Sequence, residues 1–571
     1  MKKIYLIFAL LPLAFTAGAQ GLNKEITIEK EIVPELRAAT RLDVSHNILA
    51  PQFRSQQLAV SERDMGVNIN PDAAPLVPVY DMNSSKLNRG YLKLGYLPEY
   101  NANVSAGYKF LRTDNTTLGA YLNYYGIIYD MDKADPEDDK VKDHNFDLGL
   151  NLTHKFSADA SLKINANFGT AYSKYAYELW SGEGFPANLL YKGGNTRFGF
   201  DAEYTGIYGD VNYYVSGKAG YFKNKVDDDA MPYGLDVPED YEIKGTAETS
   251  FGFAAGVNSG NVGLDISADF LHYNQFNGYS GSYPNRNLWQ FVPGDGKTTG
   301  IVTARPFYRF VYGVLSANIG VKAELSVNSG DKFHIAPDIR LSARVTKAFS
   351  LFANVTGGVY QNSLKSLYNL NHYTNPALAY GNTETAIDAN AGFVVGPYKG
   401  CYLKIYGGYT SNDDYYVLGN YGKSDFFVPV SIDKWYAGAE AHLSYRNIVD
   451  FNAKYSVNPA EYRHERATGL AELLFTVRPI EKLTLGVGWD YAIGRKYYFC
   501  SHDGTLENQI INYQDNSLCN YSIVNLNAAY SITKNISAFV NLRNLTGHQN
   551  LVSPYLWSQK LGGLVGVSII F

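Results

Sequence analysis

The sequence predicts an all-β membrane protein, a large antiparallel transmembrane β-barrel of about 22 strands with long extracellular loops and short periplasmic turns. From Gly90 onward, segments of roughly 10 to 15 residues alternate apolar and polar side chains and then stop at a turn signal. Tight and long connections largely alternate along the chain. The sequence also contains 48 Tyr and 53 Gly, which fits aromatic girdles at two membrane interfaces and many turns.

The first 19 residues have the three parts of a secretory signal peptide. Lys2 and Lys3 are basic, Ile4 to Phe15 is a short apolar run, and Ala17-Gly18-Ala19 is a small-residue cleavage pattern. The apolar run is shorter than the roughly 18 residues that a spanning helix needs. We therefore expect cleavage before Gln20 and export of the mature chain.

Residues 20–89 lack the alternation of the later segments. Prolines interrupt the segment repeatedly, at positions 34, 51, 71, 75 and 78. We interpret residues 20–89 as an extended, largely irregular leader in the periplasm or the barrel lumen. The predicted organisation is thus signal peptide 1–19, leader 20–89 and transmembrane β-barrel 90–571.

The alternation also assigns the faces of individual strands. Leu341, Ala343 and Val345 share one face and are predicted to contact lipid, whereas Arg340 and Arg344 share the other. A charge at the lipid midplane costs about 2 to 4 kcal/mol. The same polar phase holds Lys163 and Lys322. We therefore predict four lumen-facing basic residues, which are Arg340, Arg344, Lys163 and Lys322.

The strand count depends on one division of the chain. The run from Arg305 to Val327 is too long for one crossing of about 9 to 11 residues, so we divide it near Tyr312-Gly313. This gives about 22 strands, with 16 to 20 as the alternative. The long connections are expected at 130–143, 179–195, 226–244, 276–300, 362–382, 415–431, 496–520 and 546–560.

The chain has three cysteines, too few for a disulfide scaffold. Cys500 and Cys519 flank one polar segment, and an oxidising envelope would allow them to pair. We predict a disulfide between them at the base of an extracellular loop. Cys401 lies beside a predicted turn and is interpreted as a packed, unreactive residue.

The last strand resembles the closing strand of bacterial outer-membrane β-barrels. Val565, Val567, Ile569 and Phe571 fall on one side of a period-2 strand that stops at a terminal aromatic residue. In that family the barrel-insertion machinery recognises the terminal aromatic residue, so the resemblance makes Phe571 an assembly signal. It implies the outer membrane of a Gram-negative bacterium as the location and outer-membrane lipid as a partner.

The opening hairpin, Gly90-Tyr91-Leu92-Lys93-Leu94-Gly95-Tyr96 followed by Ala106-Gly107-Tyr108, resembles TonB-dependent-receptor-like barrels. The segments Lys30-Glu31-Ile32-Val33-Pro34-Glu35-Leu36 and Ala50-Pro51 are similar to the leader of a plug-less branch of that family. The resemblance implies transport of a solute across the outer membrane, or a barrel scaffold for an envelope complex.

A short leader segment, Glu25-Ile26-Thr27-Ile28-Glu29, is similar to a TonB box, the extended segment that such receptors offer to the energising protein. The other interpretation of Glu25, Ile26, Thr27, Ile28 and Glu29 is an unstructured leader. The resemblance names a TonB-type protein, or another envelope protein, as a partner.

The remaining chemistry excludes several classes of function. The formal net charge of −5 gives no sign of nucleic-acid binding, and the sequence has no His/Cys metal spacing or phosphate-binding glycine loop. We predict no enzymatic activity, no cofactor and no metal. The alternative is an outer-membrane enzyme of the lipid hydrolase or protease type, which needs a Ser–His pair positioned by a third group.

A barrel of this size has a wide lumen, which would compromise the permeability barrier if it were open. We therefore expect something to block it. The candidates are the leader 20–89, inward-folded loops or another protein.

Overall fold

A computed structural model describes most of the barrel and Arg89 before it. The described residues are 89–98, 101–130, 140–157, 159–178, 188–208, 211–226, 246–257, 262–273, 298–371, 381–398, 401–421, 424–446, 448–458, 467–503, 510–553 and 556–571. The predicted signal peptide, the leader up to residue 88 and the TonB-box-like segment lie outside these residues, so the predictions for them are not tested by the structure. In the described part of the chain, no helix has the length and apolar character to cross a membrane.

The strands run in sequence order, and their bounds follow here. They are β1 Gly90–Leu97, β2 Asn101–Arg112, β3 Thr116–Asp130, β4 Lys140–Ser157, β5 Ala160–Glu178, β6 Asn188–Tyr208, β7 Val211–Val226, β8 Thr246–Val257, β9 Val262–Tyr273, β10 Thr298–Tyr312, β11 Leu315–Val327, β12 Phe333–Thr346, β13 Phe349–Gln361, β14 Asn382–Tyr398, β15 Cys401–Tyr421, β16 Ser424–Tyr445, β17 Val449–Val457, β18 Gly469–Ile480, β19 Leu483–Ile493, β20 Lys496–Asp503, β21 Ile510–Ser517, β22 Tyr521–Ser531, β23 Ile536–Arg543, β24 Leu551–Ser553, β25 Leu556–Trp557 and β26 Gly562–Ile570. Among the residues described above, a short helix, α1 Leu364–Leu370, follows β13.

Antiparallel pairing of neighbouring strands closes the sheet into a ring. The first strand, β1, pairs with both β2 and the last strand, β26. The sheet contains 24 strands, but β19 pairs directly with β22, so the hairpin β20–β21 lies outside the ring and 22 strands form the wall. The predicted antiparallel barrel of about 22 strands is confirmed.

The division of the run from Arg305 to Val327 is also confirmed. Strand β10 ends at Tyr312 and β11 begins at Leu315, with Gly313 between them at φ +58°. A positive φ is unfavourable for residues with a Cβ, so Gly313 suits this tight turn. The adjacent strands then pair through to Tyr312 and Leu315.

Three of the predicted long connections contain more strand than expected. Strands β15 and β16 pair to Tyr421 and Ser424, so most of 415–431 is a hairpin rather than a loop. The segment 496–520 contains the hairpin β20–β21, and β6 already begins at Asn188, inside 179–195. The polar composition of these three segments predicts loops. In the structure the strands instead continue to pair, which satisfies their backbone N–H and C=O groups. Polar side chains are compatible with strands that are exposed to water.

The two faces of the wall differ in polarity, as the alternation predicts. On β11, Ile319 and Val321 are exposed on the outer face, whereas Lys322 and Glu324 point to the opposite face. Strand β12 repeats the pattern, with Ile335 exposed and Asp338 fully buried. A closed ring with an apolar outer face is the arrangement that a lipid bilayer stabilises.

Exposed aromatic side chains mark the end of the barrel where the short turns lie. They occur at strand ends and at the C-terminal residue, and they are Tyr108, Phe110, Phe156, Tyr208, Tyr308, Tyr312, Tyr445, Tyr530 and Phe571. Aromatic rings with a polar edge favour the interface between lipid and water. This periplasmic girdle explains part of the high tyrosine content of the chain.

The seam between the first and last strands depends on Phe571 and Gly90. The backbone N–H of Gly90 donates to the Phe571 carbonyl at 2.7 Å, and the Phe571 N–H donates to the Gly90 carbonyl at 2.9 Å. The Phe571 ring stacks on Tyr108 with 6.2 Å between ring centroids. A Cβ at position 90 would lie 2.7 Å from the Phe571 ring, so glycine is needed for this close approach.

Candidate functional site

Strands β4 to β6 line one side of the lumen with paired charges. The Arg197 guanidinium donates to Asn145 at 2.6 Å and, through Nε, to Asp147 at 3.2 Å. Nearer the periplasmic end, Lys163 Nζ lies 2.9 Å from the Glu203 carboxylate. These pairs lie on the face opposite the exposed apolar residues. On this side of the lumen, the acidic and basic side chains of the wall therefore neutralise one another.

A second charged cluster lies farther round the ring, on β9 to β12. Arg305 bridges two acids, donating to Asp265 and, at 2.6 Å, to Asp338. Arg340 forms a further ion pair with Asp338, at 3.2 Å between Nη2 and Oδ1. Asp338 is 0% exposed, so its charge depends on these two guanidinium groups. The three strands are thereby joined across the inner face of the wall.

The polar phase assigned from sequence is the one that the structure places opposite the exposed apolar rows. Lys163, Lys322 and Arg340 carry contacts on that face, with partners Glu203, Gly357 and Asp338 respectively. Arg344 lies on the same face of β12 as Arg340, four residues further on, at an exposed site near the periplasmic end.

Lys322 and Glu324 hold an irregularity in β13. The register between β13 and β14 shifts at Thr356 to Gly358. Lys322 Nζ donates to the Gly357 carbonyl at 2.8 Å, and the Val359 N–H donates to the Glu324 carboxylate at 2.7 Å. Gly358 has φ +133°, and a Cβ there would lie 3.0 Å from the Glu324 carboxylate. These contacts fix the backbone of β13 at the register shift, just before the strand ends at Gln361.

Side-chain hydrogen bonds fix the start of the loop that follows β13. Gln361 donates to the Thr299 hydroxyl on β10 at 2.9 Å, and Asn362 donates to the Gly381 carbonyl at 2.8 Å. Ser363 and Ser366 then form a capping box at the start of α1. Residues 362–381 are called the α1 loop below, of which 372–380 lie outside the described residues.

Helix α1 reaches a distant part of the wall. Leu364 and Leu367 are fully buried, and the Tyr368 ring lies 5.4 Å from the Phe222 ring on β7, between centroids. The Tyr368 side chain also hydrogen-bonds with Asn195 on β6, and burial raises the pKa of its phenol above the ordinary value. The helix therefore connects β13 to β6 and β7, six to seven strands away in the ring, on the inner face of the wall.

A second loop, residues 544–561 with β24 and β25, folds over the outer end of the barrel beside β3 and β22. The Tyr129 hydroxyl on β3 donates to the Trp557 carbonyl at 2.8 Å. The buried Arg495 donates to the Leu551 carbonyl at 2.6 Å, and Asn544 donates to the Gln559 carbonyl at 2.8 Å. This β24–β25 loop is thereby fixed to β3 and to Arg495, which follows β19.

The two cysteines predicted to pair are far apart along the observed hairpin. Cys500 on β20 faces Tyr513 on β21, and Ser517 at the end of β21 is four residues, or roughly 13 Å, beyond Tyr513. Cys519 follows two residues later and is exposed as a free cysteine. A disulfide needs Cα atoms within about 7 Å, so the predicted bridge requires a different pairing of this hairpin. Cys401, interpreted as packed, is a partly buried free cysteine whose Sγ contacts the Ser444 carbonyl at 3.3 Å.

The contacts of two histidines are relevant to the alternative prediction that the barrel is an outer-membrane enzyme. His154 on the outer face of β4 lies 2.7 Å from the Thr116 hydroxyl and packs edge-on against Phe156. These contacts give it a threonine partner and no carboxylate. His334 contacts the buried Glu324 at 3.5 Å, on the polar face. Neither arrangement, among the described residues, matches the Ser–His pair with an orienting third group.

The sequence-based prediction missed helix α1, Glu324 and Asp338. The helix lies within a segment assigned to a long connection, although Ser363 and Ser366 have the spacing of a cap and Leu364, Leu367 and Tyr368 fall on one helical face. This signal was available but is one turn long. Nothing in the sequence shows that Asp338 faces Arg305, because the two residues lie on strands that are not neighbours in the sheet.

No protein-family model matches the chain. No curated protein matches it by sequence either. Solved structures do match, and three receptors among them are described here. The ferric enterobactin receptor PfeA of Pseudomonas aeruginosa has a TM-score of 0.58 at 11% identity, with 85% of this chain and 80% of that chain covered. The siderophore receptor PirA of Acinetobacter baumannii has a TM-score of 0.59 at 10% identity, with the same coverage.

The third structure, the ferripyoverdine receptor of the outer membrane of Pseudomonas aeruginosa, has a TM-score of 0.59 at 13% identity. It covers 85% of this chain and 72% of that chain. At these identities the likeness establishes the barrel fold of outer-membrane receptors.

Proposed function

We propose that this chain is an outer-membrane β-barrel that transports a solute through a lumen narrowed by its own loops. The observation that carries the proposal is helix α1, which lies inside a closed 22-stranded wall and contacts Phe222 on β7, six strands from β13. The fold likeness to siderophore receptors supports a transport role. A barrel that served only as a scaffold would have no need for a built constriction.

The contacts around α1 favour a fixed constriction over a freely moving lid. Its base is tied by Gln361 and Asn362, and its far end by Tyr368. Because Lys322 and Glu324 hold the preceding bulge, the helix keeps its direction. The remaining opening beside α1 then sets the size of solute that passes.

Single-channel conductance in planar bilayers tests the proposal. Replacing Ser363–Asn371 by a Gly/Ser linker of equal length should raise conductance severalfold, and Tyr368→Ala should raise it by a smaller factor. Tyr312→Ala, which changes an exposed ring on the outer face, is the matched control and should leave conductance unchanged. Unchanged conductance in the linker variant, with the barrel folded, would exclude α1 as the constriction.

The role of the leader, residues 20–89, in this function stays a prediction. Deleting residues 20–89 while keeping the signal peptide should leave a folded barrel and raise permeability to large antibiotics. Coupling to a TonB-type protein through Glu25–Glu29 is a separate proposal. Loss of solute uptake on deletion of those five residues, with conductance unchanged, supports coupling, and unchanged uptake excludes it.

A further inference from the structure

Three arginines lie on the inner face of the wall near its periplasmic end. Arg309 is on β10, and Arg340 and Arg344 are on β12. The register places Asn318 of β11 between Arg309 and Arg340, so these three residues form one row across the sheet. We call Arg309, Arg340 and Arg344 the periplasmic arginine cluster. Its side chains lie on the face opposite the lipid-facing residues and therefore border the lumen.

Two members of the cluster have no acidic partner. Arg309 and Arg344 are exposed, and neither side chain forms an ion pair or a hydrogen bond with any residue that the structure describes. The Arg309 guanidinium lies 5.3 Å from the centre of the Phe307 ring, whose face also contacts Arg305. Stacking on a ring leaves the N–H groups at the edge of a guanidinium able to donate. Arg309 is thus positioned by Phe307 while its donors stay open to a ligand.

The third member, Arg340, shares its acidic partner. Arg340 Nη2 lies 3.2 Å from Asp338 Oδ1, and its side chain is 33% exposed. Asp338 also accepts from Arg305, so one carboxylate serves two guanidinium groups. Between Arg309 and Arg340, the Asn318 side chain forms no hydrogen bond with another described residue. The row therefore offers more hydrogen-bond donors than the wall provides acceptors for.

No carboxylate on the surrounding wall compensates for these charges. Asp338, Thr356 and Asp388 form one register row across β12, β13 and β14, and the row continues through β11, β10 and β9 to β8. On the periplasmic side of this row, the described residues of β8 to β14 include no Asp or Glu. A concave surface lined by charges of one sign attracts ligands of the opposite sign. Charge complementarity therefore selects an anion at this place.

The spacing of the arginines suits an oxyanion. Neighbouring strands are about 4.8 Å apart, so the Cα atoms of Arg309 and Arg340, which flank β11, are separated by roughly 10 Å. Two arginine side chains can span this gap to one ligand, and a guanidinium binds carboxylate or phosphate through paired N–H donors. Arg344 lies four residues further towards the periplasm, roughly 13 Å along β12. An anion that leaves the first pair therefore meets Arg344 next.

We propose that the periplasmic arginine cluster binds an oxyanion group, a carboxylate or a phosphate, of the solute that the barrel transports. The pair Arg309 and Arg340, with Asn318 between them, is the binding position, and Arg344 receives the anion on its way to the periplasm. The proposal rests on the proposed function and names the substrate class, which is an anionic solute.

Melting of the folded, full-length protein in detergent tests the site. The probes are inorganic phosphate and citrate at an ionic strength kept constant with KCl, and loss of heat-modifiable gel mobility reports melting. The test variant is Arg309→Gln/Arg344→Gln, which removes two side chains without an ion pair. Arg446→Gln is the control, because its guanidinium contacts the exposed Tyr445 ring of the periplasmic girdle.

At least one probe should raise the melting temperature of the unchanged protein by about 2 °C or more. The double variant should lose at least half of this rise, and Arg446→Gln should keep it. A rise with citrate alone assigns a carboxylate, a rise with phosphate alone assigns a phosphate, and a rise with both assigns their shared oxyanion chemistry. No rise with either probe, or an equal rise in the double variant, would overturn the proposal.

The reversal potential in a tenfold KCl gradient across a planar bilayer measures selectivity. The unchanged protein should favour chloride over potassium, and Arg309→Gln/Arg344→Gln should lower the permeability ratio at least twofold, with Arg446→Gln unchanged. An equal ratio in the double variant would overturn the selection of anions. The proposed function is judged separately, because it depends on the size of the conductance in the α1 linker variant and not on which ion carries it.

Discussion

Asp338 shows how a single buried carboxylate organises the inner wall. It is fully buried, and Arg305 and Arg340 approach it from β10 and from its own strand β12. Neither guanidinium is more than about one third exposed. The carboxylate is thus held by charge-assisted contacts, and both cations depend on it.

Replacing Asp338 with Asn should destabilise the barrel by roughly 1 to 3 kcal/mol, because two guanidinium groups lose a buried anionic partner. The measurement is the temperature at which heat-modifiable gel mobility is lost. Glu203→Gln is the control. Its pair with Lys163 is about half exposed and should contribute less than about 1 kcal/mol. Equal melting temperatures for Asp338→Asn and the unchanged protein would contradict the assignment.

Lys322 also acts at the scale of one residue, since it donates to the Gly357 carbonyl at the β13 bulge. Lys322→Met should leave the strand in place but loosen the direction of the α1 loop. We expect increased open-channel current noise and a higher mean conductance in planar bilayers, because the constriction moves. A conductance trace indistinguishable from the unchanged protein would show that Glu324 and the helix cap hold the loop without Lys322.

At the scale of the strand, the alternation between the two faces decides which substitutions the membrane tolerates. On β11, Ile319 is 43% exposed on the outer face, whereas the neighbouring Asn318 shares the inner face with Lys322. A lysine on the lipid side costs about 2 to 4 kcal/mol near the midplane. A lysine at position 318 avoids that lipid cost, although it stands in register beside Arg309 and Arg340.

Ile319→Lys should therefore reduce the amount of folded barrel in the outer membrane more strongly than Asn318→Lys. Quantitative gels of membrane fractions compare the two variants directly. Equal loss in both variants would mean that the two faces of β11 are assigned the wrong way round.

The hairpin β20–β21 decides, at the same scale, whether Cys500 and Cys519 can form a disulfide. Its register separates Cys500 from Cys519, whereas the sequence predicted a disulfide between them. Intact mass before and after reduction with alkylation decides between the two. A mass consistent with three free thiols agrees with the observed register, and a loss of two hydrogens on pairing agrees with the predicted bridge.

At the scale of the whole molecule, closure of the ring depends on the seam between β1 and β26. Phe571 takes part through both backbone hydrogen bonds and the stack on Tyr108. Its side chain is about half exposed on the outer face, so it is open to an assembly factor as well as to lipid.

Phe571→Ala should lower the yield of assembled barrel several-fold in cells, while purified protein refolded in detergent should lose less. The expected difference arises because the backbone contacts of residue 571 survive the change, whereas the terminal aromatic ring, which the sequence predicts to be the assembly signal, is lost. Pulse-chase appearance of the heat-modifiable form measures the first effect. Equal losses in cells and in detergent would assign Phe571 a structural role only.

The sequence by itself determined the barrel, its approximate strand number and the faces of its strands. These follow from period-2 alternation, because a bilayer accepts apolar side chains on one face and water accepts polar ones on the other. The division near Tyr312-Gly313 followed from the length that one crossing allows. These properties depend on residues that are close together in the sequence, so the sequence alone is sufficient to predict them.

Only the tertiary structure decided where the narrowing elements and charge clusters lie. Helix α1 belongs to the loop after β13, yet it packs against Phe222 on β7, and Asp338 pairs with Arg305 two strands away. The extra length of β15, β16, β20 and β21 likewise depends on which strands pair beyond the membrane. These contacts join residues distant in sequence, and closure of the ring brings them together. The polarity of a segment does not show which distant segment it contacts.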